Sequence, residues 1–528
     1  MNIRGITGVV SSFLYFLTAI VGVGCLVSAY YAYLDPASIG VLYAFIKTLI
    51  FTTFVAVCCE YSAAHDEELQ LKDAILSVLS IWLLSIFFCS LPFTLSGALD
   101  HSVDAVFETA SAITTTGASI LHPKHYAPDG AEIPIHAGAY TFYGTVKASG
   151  LIGTEAFPAA LLFWRSLLSW VGGAGMVLLF VAFLPSLGME AKKLFRYEST
   201  GPTFSPIFPQ VRKAATVLLK IYGGLTLLCL LFLLVTNDAM HFFDALNISL
   251  CTISTSGFGV KNASIASYHS LATEVIIMIF MIAGAVNFSW YYDMLRGRWY
   301  KLWNPELVAF FTILLGLSCL VSYSIYNTMQ HPLTATDTQA QYGCFEALRY
   351  GFFQTISSMT TTGFATVNFD LWPYFAQALM LVSMFFGGMS GSTTAGLKII
   401  RVCILAKCLT FAIQSIFKHN EVRIMRIGGR EIQSETIVGV LTFFLTTIVT
   451  SLLGVLLLVL NNVDFETAFS LNACMINNAG MSFRMAGPVE SCAFLSPFSK
   501  SICVIWMLLG RLEFYAWFTL LLPSFWKR

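Results

Sequence analysis

The sequence predicts an all-α membrane protein with ten transmembrane helices. Three observations predict it: a scarcity of charge, ten apolar stretches of bilayer length, and a unit that recurs four times among them. Of the 528 residues 57% are hydrophobic and only 11% charged, with a mean hydropathy of +0.74. A soluble domain carries about 25% charged residues, so this chain lacks the charge to cover a soluble surface. A soluble enzyme, a disordered chain and a nucleic-acid binder are disfavoured together. The 29 basic and 29 acidic residues cancel, so no bulk field indicates a partner. The thirteen cysteines are scattered, mostly in apolar runs (Cys25, Cys89, Cys229, Cys319, Cys503), with Cys58 and Cys59 adjacent and no C-x-x-C pair. They read as buried thiols, not as a disulfide framework or metal site.

A helix needs about 20 apolar residues to cross a bilayer. Ten candidates start near Val9, Ile39, Ala74, Phe157, Val217, Ser270, Leu307, Ala376, Ile437 and Ile502. The first, Val9 to Leu34, exceeds a signal-peptide core of about 7–15 residues and reads as a retained span. The eighth is broken: Ala376 to Phe386 is apolar, Gly387 to Gly396 is rich in glycine, serine and threonine, and Leu397 to Phe411 is apolar again.

Shorter, half-apolar stretches between certain spans expose the repeat. FETASAITTTGA, Phe107 to Ala118, matches FQTISSMTTTGF, Phe353 to Phe364, at Phe, Thr, Ser and the T-T-T-G run. Asn247 to Phe258 ends I-S-T-S-G-F, and Ser470 to Met481 ends I-N-N-A-G-M. The shared glycines are Gly117, Gly257, Gly363 and Gly480. The unit is span, short helix, glycine loop, span. Two full spans return the chain to the side it left, so all four units share one orientation. That opposes the inverted repeats of many secondary transporters. Four like-oriented units around an axis make a pore.

Charge placement gives the expected orientation. The linkers after each unit's second span hold Lys192, Lys193, Arg196, Arg212 and Lys213, then Arg296, Arg298 and Lys301. The third holds Lys398, Arg401, Lys407, Lys418, Arg423, Arg426 and Arg430, and the tail holds Lys527 and Arg528. The glycine-loop side holds only Lys124, Lys147, Lys261, Arg349, Arg484 and Lys500. The glycine loops are therefore expected to face outward.

Bare backbone at membrane depth is tolerated only where protein buries it or water lines it. Four such loops on one axis can offer rings of carbonyl oxygens that replace a cation's hydration shell. Glycine adopts φ > 0 without steric cost, which lets successive carbonyls point inward. The partly negative C-terminal end of each short helix favours a cation there. The candidate ion ligands are Thr115, Thr116, Gly117 and Ala118; Thr255, Ser256, Gly257 and Phe258; Thr361, Thr362, Gly363 and Phe364; and Asn478, Ala479, Gly480 and Met481. Asp104, Glu108, Asp244, Glu346, Asp464 and Glu466 stand near the outer ends, where acids cap helices and attract cations. The alternative reading of the loops is polar kinks or packing glycines.

These residues resemble the TrkH-like subunits of the Trk/Ktr/HKT potassium-transporter superfamily. TTTGAS (Thr114 to Ser119), STSGFG (Ser254 to Gly259), TTTGFAT (Thr360 to Thr366) and NNAGMS (Asn477 to Ser482) look like its four filter loops. FWRSLLSWVGGAGM from Phe163, KLFRYESTGP from Lys193, GGMSGSTTAGLKIIR from Gly387 and LLGRLE from Leu508 are similar to its linking motifs. The resemblance implies four M1–P–M2 pore repeats around a central ion pathway: residues 73–212, 213–303, 304–432 and 433–528, after an N-terminal helix pair at 1–72. It implies potassium as the transported ion bound in the filter, no organic cofactor, and a homodimer in the bacterial inner membrane. It also implies a cytosolic nucleotide-binding TrkA-like regulator. The loops are irregular: Ala118 stands where loops two and three have Phe258 and Phe364, and loop four has Met481 and no threonine. A sodium-preferring or weakly selective member of the superfamily is the alternative. Glycine at all four key positions fits potassium-preferring members.

The family likeness implies an intramembrane gating loop at the broken eighth span, with Gly387, Gly388, Gly391, Ser392, Thr393, Thr394, Gly396 and Lys398 as its residues. A plain unwound hinge is the alternative. G-x-x-x-x-G-L-K, Gly391 to Lys398, misses the phosphate-binding P-loop by one position and no strand precedes it. Arg511 lies mid-span, where a charge usually faces a cavity or a partner. The motif match suggests an electrostatic barrier under the filter, and a structural pair with Glu513 or another helix is the alternative. Arg165 reads as a structural or interfacial charge, and Lys47 and Lys220 as snorkelling. The basic stretch from Lys407 to Arg430 suits the membrane surface, a regulator, or plain solvent. No H-E-x-x-H or G-x-S-x-G motif supports an intramembrane enzyme.

Overall fold

The computed structural model describes residues 2–63, 70–99, 101–121, 124–126, 132–134, 153–175, 211–298, 304–333, 340–417, 425–428 and 430–526. In chain order the helices are α1 (Ile3–Leu34), α2 (Ile39–Tyr61), α3 (Leu71–Leu95), α4 (Ser102–Ile113) and α5 (Ala159–Gly173). Then come α6 (Val211–Thr236), α7 (Phe242–Ile253), α8 (Leu271–Ala285), α9 (Phe288–Leu295), α10 (Pro305–Ile325) and α11 (Cys344–Met359). The last are α12 (Tyr374–Phe385), α13 (Ile399–Phe417), α14 (Ser434–Leu460), α15 (Phe465–Asn477), α16 (Pro497–Leu521) and α17 (Pro523–Trp526). Two small antiparallel ribbons accompany them: Lys124–Tyr126 with Glu132–Pro134, and Arg426–Ile427 with Arg430–Glu431.

Helix starts follow local chemistry. Asn2, Ser270, Asn304, Asp464 and Ser496 each accept a backbone N–H of the first turn, and Pro305 and Pro497 occupy the first helical position, where their missing N–H costs nothing. Among the described residues seven helices are long and apolar enough to cross a membrane, or eight if one bent pair is a single span. Their outer faces carry exposed Leu228, Leu445, Leu452 and Leu456. Such broad apolar exposure suits lipid rather than water.

The four short helices α4, α7, α11 and α15 are the inside of the molecule. Their polar Glu108, Thr109, Asn247, Gln354, Thr355 and Asn472 are all buried. Packing closes a cycle around them: α5 lies on α7, α8 on α11, α12 on α15, and α16 back on α4. Each helix after a glycine loop therefore supports the short helix of the next unit. The N-terminal pair α1 and α2 stays outside the cycle, packed on α3, and α1 also reaches α5. There Trp164 is buried, donates to the Cys89 carbonyl at 3.1 Å and meets Phe45 edge-on.

The sixth expected span is not one straight helix. The chain bends by 95° between α8 and α9. Asn287 starts α9 by accepting the Ser289 N–H at 2.8 Å. The backbone freed at the bend is satisfied by the eighth span's break: Phe288 N–H donates to the Gly391 carbonyl at 3.1 Å, and Met389 N–H to Ala285 at 2.9 Å. The two interruptions hydrogen-bond each other, as unwound backbone away from water must. Of the charges that set the expected orientation, Lys147, Lys192, Lys193, Arg196, Lys301, Lys418, Arg423, Lys527 and Arg528 lie outside the described residues, as do the KLFRYESTGP motif and the Glu513 side chain.

Candidate functional site

Each short helix ends in the same backbone figure. Two residues before the key glycine the chain turns left-handed, at Thr115 (φ 57°), Thr255 (54°), Thr361 (53°) and Asn478 (48°). The glycine does so again, at Gly117 (81°), Gly257 (73°), Gly363 (92°) and Gly480 (68°). The residue between donates its N–H five residues back into the helix end: Thr116 to Ser111, Ser256 to Cys251, Thr362 to Ser357 and Ala479 to Cys474, at 2.8–3.0 Å. Asparagine tolerates the left-handed region better than most side chains, which explains how N-N-A-G takes the fold of T-T-T-G.

The loops meet head to tail. A β-carbon added to Gly117 would lie 1.9 Å from the Ser256 carbonyl oxygen, and one on Gly257 would lie 2.0 Å from that of Thr362. One on Gly363 would lie 2.9 Å from the Gly480 Cα and 3.1 Å from the Ala479 oxygen. One on Gly480 would lie 2.7 Å from the Thr116 oxygen. The carbonyls just before the four glycines, at Thr116, Ser256, Thr362 and Ala479, thus close a ring in chain order. Such a ring can take the place of a cation's water shell.

Side chains behind the ring hold it. The serine shared by the two matching repeats, Ser111 and Ser357, donates to the Ala118 and Phe364 carbonyls at 2.5 and 2.8 Å. Thr114 pairs with Thr116 and Thr360 with Thr362 at 2.7 and 2.8 Å, and Ser254 with Ser256 at 3.2 Å. Loop four has no such hydroxyls; Asn478 instead donates to Thr116 Oγ1 at 2.7 Å and to the Met507 carbonyl at 3.0 Å. Three of the acids at the starts of the short helices are engaged in ties: Asp104 with Lys500 at 2.6 Å, Glu466 with Arg484 at 2.5 Å, Asp244 with the Tyr268 hydroxyl at 3.0 Å. Asp464 caps α15 through Thr467 N–H. Arg165 lies behind the loops, paired with buried Glu108 at 2.8 Å.

The segment Gly387–Lys398 hydrogen-bonds to the ends of α7 and α11, at loops two and three. Ala395 N–H donates to Thr361 Oγ1 at 3.2 Å, and Thr393 Oγ1 stands 3.5 Å from Thr255 Oγ1 and donates to the Ile253 and Gly284 carbonyls at 3.1 and 3.0 Å. Arg511 reaches the left-handed residue of loop one, donating to Thr115 Oγ1 at 3.2 Å, and donates to the Thr393 carbonyl and the Gly172 carbonyl at 2.8 Å each. One cation therefore joins the segment, loop one and α5. The segment is pinned at its ends. Gly387 N–H donates to Leu397 at 2.9 Å, buried Lys398 caps Thr394 through its carbonyl and its hydroxyl (3.1 Å), and Gly388 N–H donates to Thr394 Oγ1 at 3.0 Å. A β-carbon on Gly387 would meet the Ala395 oxygen at 2.2 Å. Gly391 and Gly396 both have positive φ, and Ser392 pairs with Thr394 at 2.7 Å. Glu306 of α10 was not singled out from the sequence, where a lone acid at a helix start reads as a cap. It accepts Ser390 N–H at 2.7 Å. Replacing Glu306 with alanine removes that acceptor from the segment, at a cost of about 1–3 kcal/mol. Amides 387–397 are then expected to exchange hydrogen about fivefold faster or more, while α4 amides do not change; unchanged exchange in the segment contradicts the pin.

A family model described as a cation transport protein, TrkH, matches residues 143–527. The chain belongs to the TrkH family. The TrkH match starts beyond the first glycine loop, but curated relatives align across most of the chain. The Trk system potassium uptake protein TrkH of Halomonas elongata is 31% identical over 88% of this chain and 87% of its own. TrkH of Vibrio parahaemolyticus is 30% identical over 94% and 96%, and the Trk system protein TrkG of Escherichia coli 27% over 96% and 97%. The crystal structure of the potassium transporter TrkH from Vibrio parahaemolyticus superimposes with a TM-score of 0.80 at 27% identity, covering all of both chains. This TrkH-family chain is a multi-pass membrane transport protein, not an enzyme.

Proposed function

We propose that the chain takes up potassium through a selective pore lined by its four glycine loops. The observation that carries this reading is the closed ring of Thr116, Ser256, Thr362 and Ala479 carbonyls, each against the preceding loop's glycine. Ion ligation falls to residues 115–118, 255–258, 361–364 and 478–481. Potassium itself is inferred from what the relatives are named for. The ten-span layout divides into a helix pair at 1–72 and four M1–P–M2 repeats at 73–212, 213–303, 304–432 and 433–528. The protein sits in a bacterial inner membrane with its glycine loops outward. The segment Gly387–Lys398 is the gate, and Arg511 is the charge that latches it and opposes cations below the filter. A homodimer and a cytosolic nucleotide-binding regulator of the TrkA type complete the system. Support for the gate is its hydrogen bonds to Thr361 and Arg511.

The test is growth of a bacterium lacking its own potassium uptake systems. Expression of this chain is expected to restore growth at low potassium, and excess sodium is expected not to prevent it. Membrane-inserted protein without rescue, or rescue that sodium abolishes, moves the assignment to a sodium-preferring or weakly selective transporter.

A further inference from the structure

We propose that Arg165 and Glu108 form a charge-balanced brace that sets ion affinity and selectivity at the outer end of the filter. This rests on the reading of the four loops as that filter. Arg165 is 2% exposed and Glu108 0%, so the pair is withdrawn from water. Arg165 Nη1 donates to Glu108 Oε1 at 2.8 Å and to Ser119 Oγ at 3.3 Å, and Nη2 donates to the Gly259 carbonyl at 2.6 Å. The guanidinium also lies over the Phe258 ring, 4.4 Å from its centre. Glu108 Oε2 accepts the Ile120 N–H at 3.0 Å, and Oε1 accepts the Ser119 hydroxyl at 2.9 Å. Ser119 and Ile120 follow Gly117, and Phe258 and Gly259 follow Gly257. One planar fork therefore joins the outer strands of loops one and two, which a point-charge ammonium cannot do.

The same chain contains a neutral version of half this device. Gln354 stands nine residues before Gly363, as Glu108 does before Gly117. Its Nε2 donates to Thr366 Oγ1 at 3.1 Å, and Thr366 follows Gly363 by three residues as Ile120 follows Gly117. Counting back from the glycine pairs Gly172–Gly173 and Gly387–Gly388 places Met380 where repeat one has Arg165. In repeats two and four the position of Glu108 is Ile248 and Leu471. An uncharged side chain is thus enough to tie a short helix to its own loop. The charged pair adds two things: a reach to the neighbouring loop, and a positive charge beside the ion path that the Glu108 carboxylate balances. Breaking the pair from either side leaves an uncompensated charge in a poorly solvated place. The sign of that charge then acts on a bound cation.

The experiment measures rubidium uptake into proteoliposomes of the purified full chain, with sodium as competitor, for Glu108→Gln, Arg165→Met, Arg165→Lys and the double variant Glu108→Gln/Arg165→Met. Glu108→Gln leaves a net positive charge and is expected to raise the apparent KM for rubidium about tenfold. Arg165→Met leaves a net negative charge and is expected to lower KM while sodium competes better. The double variant reproduces the Gln354–Met380 arrangement; its KM is expected to return to within about twofold of the parent, with sodium still competing better because the Gly259 tie is gone. Arg165→Lys keeps the charge without the fork, so its KM is expected to hold while sodium discrimination falls. If a single variant fails to fold, the double variant and Arg165→Lys decide the matter: parental sodium discrimination in both overturns the proposal. Equal loss of maximal rate in every variant with unchanged KM and unchanged sodium competition also overturns it and leaves a packing role. Gly363→Ser in the same assay separates this result from the filter reading. If that variant loses rubidium preference and the brace variants do not change it, only the brace fails; if Gly363→Ser changes nothing, the filter reading fails.

Discussion

Gly117→Ser is expected to lower the preference for potassium over sodium by about tenfold or more, or to abolish uptake, without removing the protein from the membrane. Two separate costs act at this position. With φ at +81° a side chain costs about 1–3 kcal/mol in backbone strain alone. The new β-carbon would also fall 1.9 Å from the Ser256 carbonyl oxygen, so loop one or loop two must move. The oxygen displaced belongs to the ring itself, so the damage appears as altered ion preference before it appears as unfolding. Gly316 is the matched control: an added β-carbon there meets nothing within 4 Å, and Gly316→Ser is expected to transport as the parent does. Potassium uptake with sodium competition in cells checks both. Parental preference in Gly117→Ser contradicts the ring.

Arg511→Ala is expected to raise cation flux about tenfold to a hundredfold. Its guanidinium contacts the Thr115 hydroxyl of loop one and the Thr393 carbonyl of the Gly387–Lys398 segment. A positive charge within hydrogen-bond reach of a residue that lines the proposed path raises the barrier to another cation by a few kcal/mol at an effective dielectric of about 20. Removing it also unties the segment from α5, where Arg511 holds Gly172 at 2.8 Å. Both changes act in the same direction. Arg511→Lys keeps a charge but loses the fork, and is expected to fall between the two. Flux into proteoliposomes, with thermal melting of the same preparations, separates gating from folding. Lower flux in Arg511→Ala with a parental melting temperature contradicts the barrier.

The parts of this architecture legible in the sequence were those written as local pattern. T-T-T-G at 114–117 and 360–363 is a repeat of identical residues, and I-N-N-A-G-M was recognisable only because the glycine kept its place. The break after Phe386 was legible because glycine, serine and threonine interrupt an apolar run. The bend after Ala285 was not: LATEVIIMIFMIAGAVNFSWYYDML is apolar on both sides, and its cause is the companion segment 387–397, distant in sequence, that accepts and donates at Ala285 and Phe288. Arg165 and Glu108 are 57 residues apart. Each alone reads as a structural charge or a helix cap, and only packing of α5 behind α4 makes them one device. The serine shared by repeats one and three was visible as a match, but its bond to the loop carbonyl depends on the left-handed turn between them.

If the four loops form the filter, a cation sits inside their carbonyl ring. Anomalous diffraction from crystals of the full chain grown in rubidium or thallium locates that ion without reference to uptake. The expected result is a peak enclosed by the Thr116, Ser256, Thr362 and Ala479 carbonyl oxygens, lost in Gly363→Ser. Absence of a peak within the ring, with heavy-cation density elsewhere in the membrane region, contradicts it.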